Sequence, residues 1–155
     1  MKFLVVGLGS MGKRRVGNIQ YLKAGDVIGL DIRKDRRLEA ENRFGIRTFG
    51  AFDDALAENP DALVISTPPH LHVKYAQEAI RHRKHFFTEV NTVKPNELDA
   101  IMKGITNSNI VGVPSCTMRF HPCIKRLKEV VDNNEIGRIL ALTYDSGEYL
   151  PDWHP

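Results

Sequence analysis

Apolar residues in the first two-thirds of the chain cluster in short unbroken runs instead of alternating with polar ones. The clearest are Phe3-Leu-Val-Val6, Val27-Ile28, Leu63-Val-Ile65 and Phe86-Phe87. Unbroken runs describe strands buried on both faces, as in a parallel sheet covered by helices. Strands are predicted at Lys2–Val6, Val27–Asp31, Ile46–Thr48, Ala62–Ser66, His85–Thr88 and Ile110–Pro114. Helices are predicted between and after them, at Met11–Lys23, Arg36–Phe44, Phe52–Glu58, Leu71–Arg83, Pro95–Thr106 and Pro122–Asn133. Repeated strand–helix–strand order requires right-handed crossovers, so the fold class is α/β with a doubly wound parallel sheet.

One later segment departs from this order. Arg138-Ile-Leu-Ala-Leu-Thr-Tyr-Asp145 has the β propensity of a strand, with no further strand after it to pair with. An unpaired edge invites another chain. The pattern therefore predicts a homodimer joined through Arg138–Asp145, with Tyr149 and Trp153 buried in the joint. It divides the chain into residues 1–120, a Rossmann-type domain, and residues 121–155, an extra C-terminal helix and strand.

The first predicted strand empties into Gly7-Leu-Gly-Ser-Met-Gly12. In a Gly-x-Gly-x-x-Gly turn, the first glycine makes the tight turn and the second lets backbone approach a pyrophosphate. The third lets the next helix pack on the strand, and that helix's N-terminus faces the phosphates. Gly7, Gly9, Ser10, Met11 and Gly12 are thus candidate dinucleotide-binding residues. Asp31 closes the second strand about 20 residues beyond Gly12, where a carboxylate hydrogen-bonds the adenosine ribose. A carboxylate there favours NAD over NADP by repelling a 2′-phosphate. Arg33 pulls the other way, as a group that stacks on adenine or reaches a 2′-phosphate, so NADP stays possible. The competing role for Asp31 is an N-cap of the helix that follows.

Composition narrows the class. Of 155 residues, 42% are hydrophobic and 26% charged, as in an ordinary globular domain. No apolar run is long enough to span a bilayer and no leader is evident, so the expectation is a cytoplasmic protein without membrane contact. Two cysteines, Cys116 and Cys123, predict neither a disulfide framework nor a metal site. The net charge of +3 is mild. Basic residues gather at Lys13-Arg14-Arg15 and from Arg33 to Arg37 without interleaved aromatics. That arrangement suits a pyrophosphate or a solvated helix face and argues against nucleic acid.

Several further residues, taken with the glycine turn, resemble the N-terminal domain of the glucose–fructose oxidoreductase / inositol dehydrogenase (Gfo/Idh/MocA) family. They are Arg15, Asp31, Ser66-Thr-Pro-Pro-His-Leu-His72, Glu89, Arg119-Phe-His-Pro122, Glu135-Ile-Gly-Arg138 and Tyr149-Leu-Pro-Asp-Trp153. The resemblance runs over essentially the whole chain. It implies NAD or NADP binding here, and oxidation or reduction of sugar-type alcohols and carbonyls with a second domain. It further implies that Ser66, Thr67, Pro68 and His72 line the cofactor cleft and that Glu89 holds the carboxamide end. For His72, a helix-start residue bonded to a neighbour is the equal alternative. His70 is expected to face solvent, and His82, His85 and His154 to be surface or structural residues.

The sequence departs from the family pattern after the fifth strand. Where the family carries Glu-Lys-Pro, this chain has Glu89-Val90-Asn91. Val90 cannot donate a proton or hold a charge, and acid–base catalysis needs an ionisable group near the reacting oxygen. No catalytic residue is therefore assigned; Lys94, displaced round the turn, is a weak substitute. The family's second domain, with its catalytic Asp/His pair, has no counterpart in these residues. Three functions follow: a dinucleotide-binding domain, truncated, that does not turn over alone; a dehydrogenase completed by another chain; or a non-catalytic NAD-dependent sensor.

Overall fold

A computed structural model describes residues 1–89 and 95–145, with the side chains of residues 95 and 96 excepted. Six strands form one sheet: β1 (Lys2–Val6), β2 (Asp26–Leu30), β3 (Arg47–Phe49), β4 (Ala62–Ile65), β5 (His85–Thr88) and β6 (Gly112–Pro114). The order across the sheet is β3-β2-β1-β4-β5-β6, and each neighbouring pair is parallel. The chain thus builds outward from β1 in one direction, then returns to its other side with β4. At that reversal the loops after β1 and β4 diverge and leave a crevice at the strands' carboxyl ends.

Successive residues of β1 point to opposite faces, so one run feeds two cores. Leu4 and Val6 pack with Ile28, Leu30, Leu63, Ile65 and Phe86 on one face. Val5 joins Leu8, Val16, Ile19, Val27 and Val64 on the other. Leu4, Val5, Leu8, Val16, Leu63 and Ile65 have no exposed surface. Burying each such side chain contributes about 1.5–3 kcal/mol.

Six helices accompany the strands: α1 (Ser10–Tyr21), α2 (Lys34–Phe44), α3 (Phe52–Ala57), α4 (His72–Arg81), α5 (Pro95–Ser108) and α6 (Pro122–Asp132). Every predicted helix is present, with each end either matching or shifted by one or two residues. α2 starts earlier than its apolar pattern, at Lys34, and stops at Gly45, whose φ of 64° is left-handed and whose N–H caps Glu41 O. α4 begins at His72 because Pro69–Leu71 form a separate 3-10 turn. β6 is shorter than expected and begins at Gly112, where a Cβ would stand 2.5 Å from the Phe86 ring.

Met1–Ser115 form one compact unit and Cys116–Pro155 another. Among its described residues, the second unit holds a 3-10 turn, Thr117–Phe120, and α6. The strand expected at Arg138–Asp145 is not there. Those residues are irregular and exposed, Leu140 at 81% and Leu142 at 64%. β propensity measures packing on a pleated neighbour more than backbone preference, and among the described residues no strand neighbours this segment. Tyr149 and Trp153 lie outside the described residues.

Candidate dinucleotide site

The glycine turn is built by steric need at two of its glycines and left open at the third. Gly7 has φ +90° and its N–H donates to Leu30 O at 2.8 Å. A Cβ on it would sit 2.7 Å from Ser66 O. A Cβ on Gly12 would sit 1.8 Å from Gly7 O. These two glycines are demanded by the protein's own backbone. Gly9 differs: its φ is −68° and a Cβ would meet nothing nearer than Arg36 Nη1 at 3.6 Å. No backbone contact therefore demands a glycine at this position, and its one neighbour is the end of a flexible side chain. Gly9 is also the N-cap of α1, which has no side-chain cap and no acidic residue in its first turn. The first N–H groups of α1, at Ser10, Met11 and Gly12, are thus presented without a competing carboxylate.

Asp31 sits opposite, at the end of β2. Its side chain is 5% exposed. Oδ2 accepts the Leu8 N–H at 2.8 Å, and Oδ1 accepts the Arg33 N–H at 2.9 Å. The N-cap of α2 is Arg33, so Asp31 is not the helix cap. Each carboxylate oxygen accepts one of these bonds and keeps a second lone pair, so the group can still receive a ribose hydroxyl.

The basic residues expected to complement a pyrophosphate are mostly engaged elsewhere. Lys13 pairs with Glu39, and Arg15 holds Glu89 through Nε at 2.6 Å and Nη2 at 3.0 Å while stacking 4.9 Å over the Phe87 ring. Arg33 lines the cleft but is paired with Asp35. The Arg33 guanidinium, bonded to Asp35, holds that carboxyl well below its ordinary range, at about 2. Arg37 Nη1 donates to Asp31 O at 2.8 Å and fastens the end of β2.

The far wall comes from the loop after β4. Gly7, Asp31, Arg33, Ser66, Thr67 and Pro68 surround a cleft of about 300 Å³. The structure therefore brings together these six of the predicted residues at the β1–β4 reversal. Ser66 Oγ and Thr67 Oγ1 are buried without a partner. An unmet buried hydroxyl costs about 1–3 kcal/mol, and rotation toward the cleft would let a bound group satisfy each.

His72 and Glu89 are placed differently. Both line a separate apolar cavity of about 160 Å³ with Thr88, Leu98, Met102 and Pro114. His72 is 3% exposed, with Nε2 bonded to Thr67 O at 2.7 Å. A carbonyl only accepts, so Nε2 carries the proton and pins the Thr67 turn. His70 is exposed at the rim of the larger cleft, as expected. Val90 and Lys94 lie outside the described residues. Among the described residues there is no metal-binding cluster, and Cys116 and Cys123 are exposed free thiols.

Two cleft residues escaped the sequence reading. Tyr75, one turn into α4, lies in the wall, and burial pushes its hydroxyl pKa up, with the Asp31 charge adding to the shift. Arg36 also lines the cleft, 3.6 Å from Asp31 Oδ2. No local pattern marks Tyr75; Arg36 becomes visible only once the start of α2 is known.

An NAD molecule fits these residues. The open side of Gly9, the uncapped α1 N-terminus and the Asp31 carboxylate stand in the order pyrophosphate and adenosine ribose require.

A family model described as oxidoreductase family, NAD-binding Rossmann fold (GFO_IDH_MocA) matches residues 1–104. The chain is 24% identical over 155 residues to myo-inositol 2-dehydrogenase of Thermotoga maritima, covering 97% of this chain and 46% of that protein. It is 26% identical to oxidoreductase P35 of Formosa agariphila, covering 88% and 44%. Among solved structures it resembles the WlbA dehydrogenase of Bordetella pertussis, in complex with NADH and UDP-GlcNAcA, at 25% identity. That match has a TM-score of 0.81 and covers 88% of this chain and 43% of that one. The chain thus spans under half the length of these relatives. No helix among the described residues is long and apolar enough to cross a membrane. With the glycine turn, the Asp31 carboxylate at the end of β2 and the sheet order all in place, the chain belongs to the Gfo/Idh/MocA oxidoreductase family and carries its NAD-binding Rossmann fold.

Proposed function

We propose that this chain binds NAD in the cleft between the glycine turn and the Ser66–Pro68 loop and, by itself, does not complete an oxidoreductase reaction. The carrying observation is Gly9, where, unlike at Gly7 and Gly12, no protein backbone demands a glycine and a Cβ would meet only the Arg36 guanidinium. Asp31 would receive the adenosine ribose, the α1 N-terminus the pyrophosphate, and Ser66 and Thr67 the nicotinamide-side ribose. A bound nicotinamide supplies the hydride acceptor or donor. What the chain lacks is the proton partner: at the family's lysine position stands Val90, which has no ionisable group.

Relatives named as inositol and glucose-6-phosphate dehydrogenases support a sugar or polyol as the class of substrate. Residues of a further domain or a partner chain would have to hold it. The exposed Leu140, Leu142 and Tyr144 support burial of this segment against a second copy of the chain, in a homodimer. Two exposed free thiols suit a reducing, cytoplasmic setting. Titration of the purified chain with NADH by calorimetry tests the binding, and a panel of polyols with NAD tests the absence of turnover. Failure to bind NADH sinks the first claim, and steady hydride transfer by the chain alone sinks the second.

A further inference from the structure

The start of α2 carries three arginines, and the structure gives each a different task. Arg33 is tied to Asp35. Arg37 fastens the carbonyls of Asp31 and Ile32 through Nη1, at 2.8 and 3.2 Å. Arg36 is the one of the three that reaches across the cleft. Its Nη1 stands 3.6 Å from Asp31 Oδ2 and 3.6 Å from the point a Cβ on Gly9 would occupy. The guanidinium therefore bridges the ribose seat and the pyrophosphate seat.

We propose that Arg36 reads the 2′ position of the adenosine ribose, and that its cation beside Asp31 makes the cleft accept the 2′-phosphate of NADP as well as the 2′-hydroxyl of NAD. This rests on the dinucleotide reading of the same cleft. A bare carboxylate at the end of β2 repels a 2′-phosphate. Here the carboxylate is offset on three sides, by the N–H groups of Leu8 and Arg33 and by the Arg36 charge. At 3.6 Å the Arg36–Asp31 contact is an ion pair and too long for a good hydrogen bond, so the guanidinium's donors remain available. Its side chain is 39% exposed. A guanidinium fork matches two phosphate oxygens at once, which an ammonium does not. With NAD, the same group moves aside and Asp31 takes the hydroxyl. Arg33, the nearer residue in sequence, is committed to its own carboxylate partner.

The test is calorimetric titration of the whole chain with NADH, NADPH, ADP and 2′,5′-ADP. The wild-type chain should bind NADH and NADPH within about tenfold of each other, and 2′,5′-ADP more tightly than ADP. Arg36→Gln should weaken NADPH and 2′,5′-ADP by about tenfold or more and NADH by less than threefold. Arg36→Lys should recover only part of the loss. Lys34→Gln, which removes one charge from the same turn outside the cleft, should change neither. Binding of NADH without measurable binding of NADPH overturns the proposal, as does an equal loss of both cofactors in Arg36→Gln. If neither cofactor binds, the dinucleotide reading falls and the proposal falls with it.

Discussion

Asp31 Oδ2 accepts the backbone N–H of Leu8 at 2.8 Å, joining the end of β2 to the middle of the glycine turn with a carboxylate that is 5% exposed. One side chain thus shapes the turn and presents itself to the ribose. Asp31→Ala should orphan the N–H groups of Leu8, whose bond is buried, and Arg33, whose bond is half-buried, and lower stability by about 2–4 kcal/mol, less than two fully buried unmet donors would cost. Urea unfolding measures it. Asp31→Asn keeps one acceptor oxygen but turns an amide NH2 toward the other N–H donor, so it should recover only part of that loss and still bind NADH more weakly than the native chain. Equal stability of Asp31→Ala and the native chain would remove Asp31 from the turn.

The core should respond by position in β1. Leu4 has no exposed surface and packs with Ile28, Leu63 and Ile65. Leu4→Ala should cost about 2–5 kcal/mol, read from the shift in the urea midpoint at unchanged slope. A loss below 1 kcal/mol would mean that this face is not packed as described.

Tyr75 gives the cleft a signature at alkaline pH. Burial, and secondarily the Asp31 charge, push its hydroxyl pKa above the ordinary value of 10. The folded pKa exceeds the unfolded one, so the stability contributed is fully present below the unfolded pKa and is lost as pH rises through the folded value. Stability should therefore fall at alkaline pH as Tyr75 ionises, and Tyr75→Phe should lessen that fall. Absorbance titration of the phenolates, native against Tyr75→Phe, should show the missing group titrating above the exposed tyrosines. A difference at or below 10 contradicts the placement.

At Asp35 the shift runs the other way. Arg33 holds the carboxyl at about 2, with the bond to the guanidinium as the main cause. A depressed folded pKa gives a contribution present above the unfolded pKa and lost as pH falls through the folded one. NMR titration of the native chain should place Asp35 near that value. Arg33→Ala should return it toward the ordinary carboxylate range, and an unmoved Asp35 would break the pair.

The sequence made the glycine turn and Asp31 legible because their requirements are local: a strand, a sterically forced turn and a fixed spacing to the next strand end. The parallel sheet was legible from unbroken runs such as Leu63-Val-Ile65, which only a doubly covered strand explains. Which arginine enters the cleft was not. That depends on where α2 begins, and its start at Lys34 turns Arg36 inward while Asp35 captures Arg33. His72 was legible as a helix-start residue, but its place in the smaller cavity depends on the 3-10 turn before it. Arg138–Asp145 misled for a related reason: its residue types favour a strand, yet a strand exists only in a sheet.

Gly9→Ala is the most direct test of the central claim that the glycine turn exists to hold a dinucleotide. Its backbone, at φ −68°, tolerates a side chain, and a Cβ would meet no atom nearer than 3.6 Å. The variant should unfold at the same urea midpoint as the native chain, while its affinity for NADH, measured by calorimetry, drops by about tenfold or more. Gly12→Ala, by contrast, should destabilise the fold, because its Cβ would collide with Gly7 O at 1.8 Å. A Gly9→Ala chain that is as stable as the native protein and binds NADH equally well would contradict the account.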